Sequence, residues 1–491
     1  MLALAGLVVV AAVLRFWRIG QQSFWYDESV TLGLVRHSLA GMLSMLPHSE
    51  GTPPAYYCVL WVWARVFGFS EAGLRSLSAV AGVAVVPALY GIGAKLVSRR
   101  VGLVAAALAA CNPFLIWYSQ EARAYSLLVL TSTLALLAFV HLLDSRPSRR
   151  WIVTWAVASA LALATHYYAL LAVVPQALWL LWFHRRDLRV CLAVYAVAVV
   201  GVALLPLALS QKANAAWITE APLSLRLGQV APQFLLGTGA PARSWLKLAG
   251  ALALVIALVM LAVRADAHER RGAQIGATLA VAGVVVALLL IIPGADEVIS
   301  RNLIVVLIAL IVVIAAGLGA RRAGALGLAG VATLCAIGVV ATVAVAVDED
   351  FQRAPWRGVA RAVQSSVPAG AAGAVIVENT DSIIPLADYI PGLYAMHLGA
   401  PVRELDVVAA VTVPTVDFCW WGATCFLPVA RLDSSIHIPG FHADGPVIHV
   451  HQLWIYRLRA VRPHFVTRAE IASALNGFPL TSYGVLVAPP S

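Results

Sequence analysis

The sequence predicts a polytopic α-helical membrane protein with a C-terminal soluble α/β domain. Three observations carry that prediction. Only 12% of the 491 residues are charged and 61% are hydrophobic, with a mean hydropathy of +0.86, whereas soluble domains carry about 25% charged residues. Runs of roughly 17 to 25 apolar residues, each long enough to cross a bilayer, recur as far as residue 347. From Asp348 onward the composition turns mixed, with strand-like runs such as GAVIVEN and QLWIYRL. The expected domains are therefore a membrane domain over 1–347, with a first outer loop at about 20–71, and a soluble domain over 348–491, long enough for a core of its own.

The first apolar stretch ends at Leu14, and Phe16 and Trp17 extend it into the interface. No basic region precedes it and no small-residue cleavage site follows, so it reads as an uncleaved first span. An acidic and aromatic loop comes next, containing SFWYDES at 23–29. Further spans are predicted near 72–96, 101–117, 124–143, 151–166, 167–183, 190–209, 244–263, 273–293, 302–320 and 323–347. The segment 54–69 differs: its 16 residues reach roughly 24 Å as a helix, and it carries Arg65 among tyrosines and tryptophans. Those features suit a helix lying in the interface.

A net charge of +10 would fit a nucleic-acid partner, but its distribution excludes one. Fourteen Lys/Arg fall in five short segments, at 95–100, 146–150, 185–189, 264–271 and 321–322. Under the positive-inside rule these mark cytoplasmic loops. The count that follows is eleven crossings plus one surface helix, with the N-terminus inside. It places YSQEAR (118–123), THYY (165–168), 210–243, GADEVISR (294–301) and the C-terminal domain on the outer face, together with Asp27 and Glu28.

Those outer segments hold most of the side chains able to do chemistry. Tyr57 follows the stiff Pro53-Pro54 pair, Glu121, Arg123 and Tyr125 stand at a span entrance, His166 and Tyr167 at another, and Arg301 closes GADEVISR. Each has a bland reading as well. His166 and Tyr167 suit an aromatic belt, Glu121 and Arg123 a structural ion pair, Arg301 a span anchor, and Arg75 a structural role. No HExxH, paired CxxC, phosphate-loop or GxSxG pattern occurs. No cofactor is required, although a carboxylate pair such as Asp27 and Glu28 is of a type that binds a divalent metal. Cys58, Cys111, Cys191 and Cys335 lie in apolar segments. Cys419 and Cys425 are expected to form a disulfide if the tail is extracytoplasmic.

Read in order, WYDE, TPPAYY, SEAGLRSLSAV (70–80), NPFLIWYSQEARAYSLL (112–128) and THYYALL resemble the PMT-like, ArnT-like glycosyltransferases of the GT-C class. The likeness covers about residues 10–185, and RNLIVVLIAL, which begins at Arg301, resembles a later family element. It implies a GT-C type fold and a multi-pass enzyme that takes a sugar from a polyprenyl-phosphate donor on the outer face. An acid in the first outer loop serves that family as general base, which the resemblance carries onto Asp27. Glu28 would orient its neighbours. Arg123 and Arg301 are the candidates for the donor phosphate, with Glu121, Tyr125, Tyr57, His166 and Tyr167 around it. Relatives commonly carry His or Lys before the Pro-Pro pair. Thr52 stands there instead, with His48 and Glu50 nearby, which shifts phosphate binding towards the arginines. The Ala- and Val-rich composition is that of a high-GC bacterium, whose inner membrane is the expected location. A glycan, lipid or protein acceptor and several sugars stay open. The rival class, a transporter or flippase of lipid-linked glycans, would place ionisable groups near mid-membrane, whereas here they gather at span ends.

Overall fold

In the computed structural model, the residues described are 1–491 without 145, 239–243, 365–372, 378–379, 391–392, 395–400, 411–436, 452, 468–469, 471–472, 474–481 and 487–491. The expected Cys419–Cys425 disulfide lies outside the described residues.

Helices follow one another through the apolar region: α1 Leu2–Phe16, α2 Tyr26–Arg36, α3 Leu39–Ser49, α4 Ala55–Phe67, α5 Glu71–Leu96, α6 Arg99–Cys111, α7 Pro113–Ser119, α8 Tyr125–Leu142 and α9 Arg149–Thr165. Then come α10 Leu170–His184, α11 Leu188–Ala203, α12 Leu205–Gln211, a 3-10 turn over Lys212–Glu220, α13 Leu223–Gly228, α14 Val230–Leu236, α15 Ser244–Val263, α16 Ala267–Ile291, α17 Ile304–Leu318 and α18 Gly324–Val347. Among the described residues seven helices are long and apolar enough to cross a membrane, or eight if the bent pair α6–α7 is one span. Three more apolar helices, α1, α4 and α17, are shorter. Every segment predicted to cross is helical, and 54–69 forms the separate helix α4.

The chain forms two compact units, Met1–Ile19 with Gly33–Val343, and Gly20–Leu32 with Ala344–Ser491. The boundary therefore falls a few residues before the expected 347/348, and the segment 20–32 groups with the C-terminal residues.

Within the first unit the 56° bend between α6 and α7 has a local cause. Asn112 leaves the helix, its side-chain oxygen caps the Leu115 amide at 2.9 Å, and Pro113 supplies the first position of α7. Pro113 has no N–H, so the Ala109 carbonyl four residues back loses its helical partner. Arg15 of α1, fully buried, fills that place. Its Nη2 donates to Ala109 O and its Nη1 to Ala110 O, both at 3.0 Å, while Nε donates to Ser119 Oγ at 3.2 Å. Gly82 of α5 leaves the necessary room, since a Cβ there would stand 2.9 Å from Arg15 Nε and collide with Ser119 Oγ.

The second unit carries helix α19 (Trp356–Gln364), strand β1 (Gly373–Val377), helix α20 (Thr380–Ala387) and strands β2 (Leu393–Tyr394), β3 (Pro401–Ala410), β4 (Phe441–Ala443), β5 (Ile448–Val450), β6 (Leu453–Phe465) and β7 (Ser482–Leu486). They make one mixed sheet of order β2-β7-β1-β3-β6-β4, with β5 also on β6. Only β1–β3 is parallel among these pairs. GAVIV is buried throughout, as a strand covered on both faces must be. The segment 20–32 is fastened to this unit by named contacts. The Phe24 amide donates to Tyr389 Oη at 2.7 Å, the two rings stack at 6.5 Å, and the Arg357 amide donates to Ser23 Oγ at 3.0 Å.

Candidate active site

The first unit gathers polar side chains from loops that are far apart in sequence. Glu50 ends α3, Thr52 and Tyr57 begin α4, and the turn between α7 and α8 supplies Glu121, Arg123 and Tyr125. His166 and Tyr167 join α9 to α10, the 3-10 turn brings Asn214 and Trp217, and 292–303 brings Asp296, Glu297 and Arg301.

At the centre is Arg123. It donates Nη1 to Glu50 Oε1 at 2.5 Å and Nη2 to Glu50 Oε2 at 2.8 Å, with both side chains buried. This parallel, two-point pair is the strong geometry for guanidinium and carboxylate. Glu50 is in turn located by its backbone, whose carbonyl accepts from Asn214 Nδ2 at 2.8 Å. Beside it Tyr57 Oη lies 3.1 Å from Thr52 Oγ1. Gln211 then bridges two segments: its Nε2 donates to Thr52 O at 3.2 Å and its Oε1 accepts from Tyr167 Oη at 2.6 Å.

Arg301 stands against two rings, with its guanidinium carbon 5.1 Å from the Trp217 centroid and 5.8 Å from that of Tyr125. Tyr125 continues the aromatic wall to His166 at 5.4 Å and to Tyr118 at 4.8 Å. The Tyr168 amide donates to His166 Nδ1 at 3.1 Å, so Nδ1 is the unprotonated nitrogen and a neutral ring carries its proton on Nε2.

On the loop before α17, Arg226 grips Asp296 with two bonds of 2.8 and 2.6 Å, holding that carboxyl below its usual range. Its neighbour Glu297 behaves oppositely. Burial pushes its carboxyl up, and the Arg301 guanidinium offsets only part of the shift.

Of the residues predicted from sequence, Tyr57, Arg123, Tyr125, His166 and Arg301 are joined into one neighbourhood by these contacts, and Tyr167 reaches it through Gln211. Glu121 is buried on the same turn as Arg123. Arg123 forms an ion pair with Glu50, a residue other than the Glu121 anticipated as its structural partner, and Arg75 donates to the Ile19 carbonyl at 3.0 Å. Asp27 and Glu28 belong to the second unit, on the first turn of α2, where a helix N-terminus favours carboxylates. Glu28 is fully buried there and Asp27 partly so. Glu50, Gln211, Trp217 and Glu297 were not predicted as site residues. Glu50 had a signal in its nearness to the Pro-Pro pair. Trp217, inside a loop without periodicity, had none. Among the described residues no group of three or more His, Cys, Asp or Glu is placed to hold a metal ion.

Comparison with known proteins gives one family match. Residues 51–209 match the family described as dolichyl-phosphate-mannose-protein mannosyltransferase. This is the family that the ordered motifs resemble. The mannosyltransferase match contains Thr52, Tyr57, Glu121, Arg123, Tyr125, His166 and Tyr167, while Asp27, Glu50 and Arg301 fall outside it. None of the curated proteins matches the chain. Among solved structures, ArnT from Cupriavidus metallidurans in the apo state is 17% identical, with a TM-score of 0.47 over 73% of this chain and 69% of that one. An oligosaccharyltransferase from Archaeoglobus fulgidus in complex with zinc and sulfate is 10% identical, with a TM-score of 0.47 over 82% and 67%. The Saccharomyces cerevisiae protein O-mannosyltransferase complex bound to the sugar donor is 19% identical, with a TM-score of 0.33 over 43% of this chain and 32% of that one.

Proposed function

We propose that this protein is an inverting membrane glycosyltransferase, moving a sugar from a polyprenyl-phosphate donor to an acceptor hydroxyl on the extracytoplasmic side of a bacterial inner membrane. The observation that carries the reading is the family match over the segment that holds Arg123 and its aromatic surroundings. In the reaction, the acceptor oxygen attacks the anomeric carbon as its proton passes to a carboxylate, and the bond from that carbon to the phosphate oxygen breaks with its electron pair leaving on the lipid phosphate. Asp27 is the proposed base, with Glu28 orienting its neighbours. A phosphodiester leaving group needs no strong acid, only cations to hold its charge, and two arginines suit that need. Arg301 would meet the phosphate first. Arg123 already holds Glu50, so the lipid phosphate would share that guanidinium or displace the carboxylate from it. Tyr125, Tyr57, His166, Tyr167 and Glu121 would shape the sugar pocket, and the acceptor would be a glycan, lipid or protein hydroxyl.

The test is to incubate the purified protein with a panel of polyprenyl-phosphate sugars and candidate acceptors, and to follow release of free polyprenyl phosphate. Acceptor-dependent consumption of one donor is the expected result. Tight binding of lipid-linked sugars with no turnover across the panel would favour the transport class instead.

A further inference from the structure

A second site lies at the basic turn after α10, in the segment 185–189, and it uses none of the candidate active-site residues. The turn from α10 to α11 and Pro147 of the α8–α9 loop line an open surface cavity of about 750 Å³, inside the roughly 300–1,000 Å³ range of small-ligand pockets. Its other walls are Trp182, Phe183, Arg185, Arg186 and Arg189. The two loops are pinned together, since His184 Nε2 sits 2.7 Å from the Leu142 carbonyl oxygen.

Charge in the cavity is unbalanced in a definite way. Asp187 is engaged within its own loop, accepting from the Arg189 amide at 3.0 Å, from Nε at 3.1 Å and from Nη2 at 2.7 Å. Arg185 and Arg186 are exposed, and among the described residues neither forms an ion pair. Next to these guanidiniums two large rings are open to the surroundings, Trp182 at 76% and Phe183 at 66% exposure. Apolar rings of that size beside two unbalanced cations are poorly suited to water and well suited to a bilayer boundary, where rings meet acyl chains and guanidiniums meet phosphate.

We propose that this cavity binds the head group of an anionic phospholipid, its phosphate bridged by Arg185 and Arg186 and its upper acyl chains lying on Trp182 and Phe183. Basic pockets between helix ends are the type of site that recognises anionic head groups. A free phosphate ion would satisfy the arginines and leave the rings uncovered, so the lipid is the occupant that accounts for both features.

The experiment uses the full chain in neutral detergent, with equal amounts of phosphatidylglycerol and phosphatidylcholine, and native mass spectrometry to count retained lipids. The wild type should retain phosphatidylglycerol in preference by on the order of tenfold or more. The double variant Arg185→Gln, Arg186→Gln should fall to near parity with an unchanged unfolding midpoint in lipid-free detergent. Trp182→Ala should weaken retention of both lipids, and it serves as the second test if the double variant does not fold. A wild type without preference overturns the proposal. So does a folded double variant that keeps the preference, and so does displacement of the lipid by millimolar inorganic phosphate.

Discussion

Arg123 and Glu50 show what a single buried pair implies. Removing the acid deletes the carboxylate that takes two guanidinium bonds, and breaking a buried pair by removing one partner costs about 3–5 kcal/mol. Glu50→Gln should therefore lower the unfolding midpoint, and added polyprenyl phosphate should recover more of it than it adds to the wild type. An equal lipid-induced shift in both proteins would mean that the phosphate does not use Arg123. Asp27→Asn keeps the size of the side chain and loses the ability to take a proton. Transfer should fall by about 10²–10⁴-fold with donor binding little changed, and Glu28→Gln should cost less. Undiminished transfer by Asp27→Asn would place the base elsewhere. The contrast between these positions shows how far sequence reads into a site. Asp27 is proposed from its place in an ordered series of motifs. The Glu50–Arg123 pair was not legible, because its partners are 73 positions apart and no periodicity links a loop acid to a distant turn.

Elements were far easier to read than their joints. An apolar run of span length is a compositional signal, and each predicted span is helical, although 101–117 and 190–209 are each broken into two helices. Boundaries were also set by visible residues, such as Asn112 and Pro113 at the bend between α6 and α7. What the sequence hid is the compensation. Arg15 looked like the polar end of the first span, and the structure buries it as the donor for carbonyls at the end of α6. Arg15→Leu should leave the Ala109 and Ala110 carbonyls without these donors, at roughly 1–3 kcal/mol for each unsatisfied group, measured as a lower unfolding midpoint. Gly82→Val should act through the same joint, by crowding Arg15 and Ser119. If both variants unfold like the wild type, the joint carries no stability.

At the scale of the whole chain, the eleven-crossing count makes an accessibility prediction. On a cysteine-free background, Thr219→Cys should react with an impermeant thiol reagent in intact cells and Ser148→Cys should not; both positions are exposed. Reaction at position 148 would reverse the assignment of faces. The second unit makes a prediction about pH. Burial raises the Asp406 carboxyl to about 6 despite its 2.9 Å bond from Arg457 Nε, so the folded state holds this proton more tightly than the unfolded chain, where Asp titrates at about 3.9. Its contribution to stability is full below about pH 4 and is lost as pH rises through about 6. The difference in unfolding midpoint between wild type and Asp406→Asn should change across that window and be flat above it. A constant difference would show that Asp406 titrates alike in both states. The assignment of 20–32 to the second unit has a consequence for biosynthesis. That unit is discontinuous, and β7, its last strand in chain order, lies between β2 and β1. A ribosome must thus make about 360 further residues after Asp27 before Tyr389, which holds Phe24, is available, and the sheet beside it closes only when β7 follows. On the proposal that Asp27 is the base, nascent chains would carry it in an unfinished unit for most of translation, and premature stops ahead of β7 would release inserted but inactive protein.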